Sequence, residues 1–314
     1  MKQRKPFKTI DEQLDILRGR GLGIQDPDRC AAYILSNNYY SVVNGYKHLL
    51  LDPNRTNDEN EVYRDGSDLI ELVFLHQFDR TLRTATVNSI LTAEDRLKTS
   101  VVYAFSQEHT EQDSYLDPAN YALRSEYEKA HGKGSYTKNL ICLLSTLQGL
   151  RDGKQRTEYV EHYRKNYGDV PLWVLSNCLT FGNVSAFYDL QRRGIQNKTA
   201  KLVARTTGKD SLRPEQIKNA FRILVPFRNI CAHGERLFCA KAGVRRDLKY
   251  RDLVCALGMV LDNREFDTFV DLGIHSTIKP VERSPALLDD IIRSMGFDSK
   301  DEIMSITSAN RPKF

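Results

Sequence analysis

The stretch "SDLIELVFLHQFDRTLRTATVNSILTAEDRLKTSVVYAFSQEH", residues 67–109, decides the fold class. Leu69, Val73, Leu75, Phe78, Leu82, Val87, Ile90, Leu97, Val101 and Phe105 recur in it at largely helical steps, which marks one face of an amphipathic helix. The pattern runs for more than ten turns, so the expectation is two helices or a single kinked one. It begins at Ser67, behind a polar, acid-rich loop from Asp52 to Asp65.

The flanking sequence reads the same way. Thr9 with Glu12 forms a capping box, followed by Leu14 and Leu17 at helical spacing. Asp26-Pro27 starts a second helix, with proline at its first position, leading through Ala31, Ala32 and Ile34. Later helices are expected near Thr137–Leu150, Gln155–Tyr167, Pro171–Leu179, Asn183–Arg192, Ile195–Thr206 and Pro214–His233, and two or three more up to about Gly296. No run of alternating apolar residues lies between hairpin turns. The expectation is an all-α helical bundle without significant sheet. Its parts are expected at 1–65, 66–260 and 261–314, or as one compact domain.

Composition narrows the function classes. The chain has 314 residues, 40% hydrophobic and 28% charged, enough for a substantial core. No run of 18 apolar residues is present, which argues against a membrane-spanning helix. The N-terminal MKQRKPFKTIDEQL is basic without an apolar stretch, so the expected location is the cytoplasm. Six scattered cysteines (Cys30, Cys142, Cys178, Cys231, Cys239, Cys255) form no C-x-x-C pair and read as buried reduced thiols. The remaining histidines, His48, His76, His109, His131, His162 and His275, lack metal-ligand spacing and read as structural or solvent-facing. No metal and no cofactor is expected.

The net charge of +5 conceals an asymmetry. From Gln191 to Arg251 there are sixteen Lys/Arg against four acids, a net of +12, so the rest of the chain carries −7. A basic segment on an acidic body is the footprint expected of a polyphosphate partner, with solvated helix faces as the plainer alternative. Within it Arg192, Arg193, Arg222, Arg236, Arg245, Arg246, Lys249 and Arg251 are the candidates for contact with RNA phosphates.

The same segment holds "FRNICAHG", residues 227–234, with Arg228, Asn229 and His233 near the end of an expected helix and Gly234 where a left-handed cap would stop it. Pro226 is expected to kink or restart the last turns. An arginine five residues before a histidine is a spacing that composition alone readily supplies. On a straight helix such residues diverge by about 140°. A shared site therefore needs a frayed last turn or the same helix from a second chain. The chemistry such a group can perform is specific. Histidine exchanges protons near neutrality, arginine offers a planar fork to phosphate, and asparagine can orient either. That combination suits cleavage of RNA by attack of its 2′-OH, without a metal. The plainer reading, a histidine capping a helix beside a surface arginine, is equally open on the residues alone.

The chain also resembles known proteins. "RNICAH" resembles the R-x4–6-H motif of HEPN ribonucleases. "KPFKTIDEQLDILRGRGL" (5–22), "NNYYSVVNGYKHLL" (37–50), "FDRTLRTATVNSILTAEDRLKTSV" (78–101), "PLWVLSNCLTFGNVSAFY" (171–188) and "RNICAHGERLF" (228–238) resemble, in order, the Abi-like family of bacterial abortive-infection proteins, the AbiD/AbiF group. The resemblance implies a HEPN-type helical core and a homodimer pairing two motif helices. It also implies RNase toxicity in phage defence and restraint by a small non-coding RNA. It places Arg228 and His233 at catalytic positions and Asn229 at an auxiliary one. Asp79, Arg80 and Arg83 match a family element that braces the motif helix or touches RNA. Where the family often carries a second His or Asn after the histidine, this chain has Gly234.

Tyr39, Tyr40 and Tyr46 around Gly45 read as interhelical packing more readily than as a base-stacking platform. Pro171-Leu172-Trp173 reads as a helix start that buries the tryptophan. Two other classes compete with a ribonuclease: a non-catalytic RNA-binding module, and a scaffold whose basic helices meet an acidic protein.

Overall fold

The computed structural model describes residues 6–57, 60–154 and 157–313. The first five residues and Gln155, the expected start of a helix, lie outside the described residues. Helix α1 (Ile10–Gly19) begins at the expected capping box: the Glu12 N–H donates to Thr9 Oγ1 and the Thr9 N–H to Glu12 Oε2. Helix α2 (Pro27–Asn37) starts at Asp26 and buries Cys30 and Ile34.

Residues 69–108 then form one uninterrupted helix, α3 (Leu69–Glu108), 40 residues and about 60 Å long. The expectation of two helices or a kinked one rested on the length of the stretch, whose apolar pattern has gaps between Leu82 and Leu97. In the fold those gaps are filled by Thr86, Ser89, Ala93 and Glu94, which are buried as well. No glycine or proline interrupts the stretch, so nothing in the backbone breaks it. Because neighbours clad it on several sides, α3 needs no single apolar stripe.

The middle of the chain supplies α4 (Arg124–His131), α5 (Ser135–Arg151), α6 (Glu158–Tyr167), the one-turn α7 (Leu172–Leu175), α8 (Phe181–Asp189), α9 (Arg193–Thr207) and α10 (Pro214–Ala232). After a loop come α11 (Tyr250–Val260), α12 (Asn263–Phe269), the short α13 (Ser276–Ile278), α14 (Pro285–Met295) and α15 (Lys300–Met304). Helices α9, α10 and α11 pack along α3. Among the described residues β structure is confined to isolated bridges, Gly23–Asp68, Leu51–Tyr63 and Ala242–Leu248, and the fold is all-α. No described helix is long and apolar enough to cross a membrane. One connected apolar cluster takes in residues from Leu14 to Ile306.

Four expectations change. Helix α4 has no apolar period to announce it, burying Tyr127 alone. Helix α10 runs on through Pro226 and does not restart. Trp173 is 58% exposed, because α7 is a single turn that turns Leu172, Val174 and Leu175 inward. Cys142 is exposed on α5, whereas Cys30, Cys231 and Cys255 are buried thiols as expected.

Candidate functional site

The site is built on the end of α10. Its buried side carries Ile217, Ala220, Phe221, Ile223, Leu224, Phe227 and Cys231. That leaves Arg222, Asn229 and Ala232 on an exposed stripe, and the exposed His233 stands at the helix end. His233 is the C-cap residue. Gly234 follows at φ +69, its N–H donating to the Cys231 carbonyl, while the Glu235 N–H donates to the Ile230 carbonyl. This pair of bonds is a Schellman ending, and the left-handed residue it requires is most cheaply glycine.

The chain leaving α10 is gripped by α3 through Asp79, a carboxylate with no exposed surface. Its Oδ1 accepts the N–H groups of Phe238 (2.8 Å) and Leu237 (3.0 Å). Its Oδ2 accepts the Arg83 guanidinium (2.8 Å) and the Tyr46 hydroxyl (3.0 Å). Arg83 Nη1 donates as well to the Glu235 carbonyl at 2.9 Å. Burial pushes the Asp79 carboxyl above its usual range, and the Phe238 amide, the Arg83 charge and the Leu237 amide offset part of that rise. Asp79 and Arg83 therefore brace the segment behind His233. Arg80 is exposed and takes no part in that brace.

His233 faces a cavity of about 690 Å³. Its far wall is a π-helical turn, Tyr40–Asn44, which contributes Tyr40, Ser41 and Asn44, with His48 and His76 beyond. Its near wall is the post-helix loop, with Glu235, Arg236, Lys241 and Arg246. Arg236 ties the two walls together, donating to the Gly45 carbonyl at 2.7 Å. His76 Nδ1 pairs with the Tyr33 hydroxyl at 2.8 Å. Burial, reinforced by Arg236 for His48 and by Arg83 and Arg80 for His76, holds both imidazoles below their ordinary pKa.

Arg228 is not part of this cavity's lining. It lies half-buried on another flank of α10, and its Nε donates to Glu94 Oε2 of α3 at 3.3 Å. Glu94 is buried, with Lys98 its other ionic neighbour at 3.9 Å. Within one chain, Arg228 and His233 thus have different surroundings, as five residues of straight helix dictate.

The other cations of the basic segment divide into two groups. Arg192 donates to the carbonyls of Tyr121 and Ala119, Arg193 pairs with Glu215 at 2.7 Å, and Arg251 pairs with Glu302 at 3.2 Å. Lys249 Nζ lies 3.5 Å from the Arg293 carbonyl, and Arg222 donates to the Asn219 amide oxygen. Lys241, Arg245 and Arg246 are exposed, and no hydrogen bond or ion pair to their side chains occurs among the described residues. Of the eight cations expected to meet phosphate, Arg236 and Arg246 line the cavity.

Sequence reasoning missed the walls opposite His233. Tyr40, His48 and His76 each carried a plainer reading, and Asn44 and Lys241 were overlooked. The one available signal was the density of tyrosine, asparagine and histidine in "NNYYSVVNGYKHLL". No three His, Cys, Asp or Glu side chains gather among the described residues in a way that could hold a metal ion.

A family model described as Abi-like protein matches residues 32–239, from α2 through the brace on Asp79 to the loop behind His233. No curated protein and no solved structure matches the chain.

Proposed function

The chain belongs to the Abi-like family, and from that premise we propose that it is an endoribonuclease toxin of abortive-infection defence against phage. In this reading it is built on a HEPN-type core, works in the cytoplasm as a homodimer and is restrained by a small non-coding RNA. One observation carries the reading. Within the matched span, His233 stands exposed and rigidly capped on a cavity bordered by Arg236, Lys241 and Arg246, with Glu235 the sole carboxylate of its lining. A polyanion presented there meets an imidazole among cations.

The chemistry is cyclising cleavage. An imidazole takes the proton from a ribose 2′-OH, and the 2′-oxygen attacks the adjacent phosphorus. The bond from phosphorus to the 5′-oxygen breaks, and that oxygen leaves with a proton from a second imidazole. The products are a 2′,3′-cyclic phosphate and a 5′-hydroxyl. Two chains supply the two imidazoles, one His233 each. Arg228 neutralises charge on the pentavalent phosphorus, for which its two Nη groups are available because only its Nε engages Glu94. Asn229, exposed on the same stripe, orients the ribose or the imidazole.

The His233→Ala variant is expected to lose RNA cleavage and growth arrest together, while wild-type activity persists in EDTA. Cleavage is read by mass spectrometry of cyclic-phosphate ends. Undiminished toxicity of His233→Ala, or a strict metal requirement, overturns the mechanism. Tight, salt-sensitive RNA binding without new ends would instead identify a binding module.

A further inference from the structure

The cavity beside His233 contains more than the cleavage step uses. Its volume of about 690 Å³ is large enough to take a nucleotide. Lys241 and Arg246 stand on its wall with side chains that no carboxylate engages among the described residues, unlike Arg193, Arg228 and Arg251. Arg246 is held at φ +53, a conformation that side-chain-bearing residues rarely adopt, in a turn closed by the Ala242–Leu248 bridge. Such backbone strain concentrates where a side chain has to be aimed.

The opposite wall is equally specialised. Asn38, at φ 64, ends α2, and its Oδ1 accepts the Tyr40 N–H at 2.9 Å. The wide π turn that follows leaves the Tyr40 ring 72% exposed on the cavity wall. Wide turns of this kind recur at functional sites. The Asn44 side chain lines the same wall, half-buried and without a hydrogen bond among the described residues. The wall therefore offers an aromatic face and an unengaged amide across from two cations.

We propose that this cavity is a nucleotide subsite. It holds the nucleotide flanking the cleaved bond, its phosphate between Lys241 and Arg246, its base stacked on Tyr40 and read by Asn44. His48 and His76, kept neutral by burial, add hydrogen bonds there in place of charge. The subsite rests on the ribonuclease reading above, and it makes the choice of cut position a property of the turn 40–44.

Two measurements on the full-length protein test it. Cut positions in a pool of random oligoribonucleotides are mapped from their cyclic-phosphate ends. Wild type should prefer particular bases at one position beside the cut. Tyr40→Ala and Asn44→Ala should flatten that preference, and Tyr40→Ala should raise KM roughly tenfold, the scale of one lost base–aromatic stack. Separately, the four nucleoside monophosphates are titrated by calorimetry, with Lys241→Ala/Arg246→Ala expected to weaken binding at least tenfold. All four positions have exposed or half-buried side chains, and thermal melting verifies that the variants fold. If wild type cleaves through His233 while the variants keep its KM and cut positions, the subsite is wrong and the ribonuclease stands. If wild type cleaves nothing, the ribonuclease reading falls. Monophosphate binding lost in the double variant then upholds the cavity as a nucleotide site, and its absence removes the subsite too.

Discussion

Arg228 reaches Glu94 through Nε, and that single contact sets what the guanidinium can do next. Using the edge nitrogen fixes the plane of the group while leaving both terminal nitrogens for a ligand. A flexible arginine would have to be ordered when phosphate arrives, at a cost of about 0.5–1.5 kcal/mol for such a side chain. Glu94 is suited to the role because it is buried on α3, where its side chain has little access to solvent. Glu94→Gln keeps the shape and weakens the charge-assisted bond, so it should lower kcat about tenfold, consistent with a loss of the order of 1.5 kcal/mol. RNA affinity should change little. Single-turnover cleavage alongside filter binding measures both, and an unaltered rate would show that Arg228 needs no such orientation. In the proposed mechanism Glu94 is thus a positioning residue, acting through Arg228.

At the scale of elements, the site depends on how firmly α3 holds the chain after α10. Asp79 provides that hold, and its partners Leu237 and Phe238 lie 158 and 159 residues away. Removing the carboxylate leaves two buried amides and the Arg83 charge without their acceptor. Asp79→Ala should therefore cost about 3–5 kcal/mol in urea unfolding, the range for breaking a buried ion pair. The exposed neighbour Arg80→Ala should stay within about 0.5 kcal/mol. Equal losses in the two variants would mean that the element works through its surface. The pair also marks what a sequence can disclose. The helix starts at Thr9, Asp26 and Pro214, and the stop at Gly234, were legible because capping chemistry is local. Asp79 was visible only as part of a family element, since nothing local announces a carboxylate whose donors are so distant. The same holds for the cavity, whose walls come from residues 40–48, from His76 and from residues 230–246. The unbroken α3 was missed because its length alone suggested a break, and the buried Thr86, Ser89 and Glu94 that carry it through lie outside an apolar pattern.

At the scale of the whole molecule, the decisive geometry is that Asn229, Ala232 and His233 look outward from α10 while Arg228 is turned toward Glu94. Arg222, Asn229 and Ala232 are spaced so that they share one exposed stripe, with the half-buried Val225 and Pro226 between them. Two copies of α10 meeting along that stripe would bring four functional groups, two arginines and two histidines, around one phosphate. A self-contained site makes a different prediction from a composite one, and mixing inactive chains separates them. Arg228→Ala and His233→Ala should each be inactive alone. Co-expressed with different tags and purified through both, their heterodimer retains one intact Arg228 and one intact His233. In a composite site those two groups face the same phosphate from opposite chains, so the heterodimer, whose single imidazole must serve first as base and then as acid, should recover cleavage above either homodimer, though far below wild type. In a self-contained site each chain still lacks one member, and nothing is recovered. Native mass spectrometry establishes that the mixed species has formed. Cleavage absent from a verified heterodimer, or full wild-type activity from a protein that stays monomeric, would rule out assembly of the site across two chains.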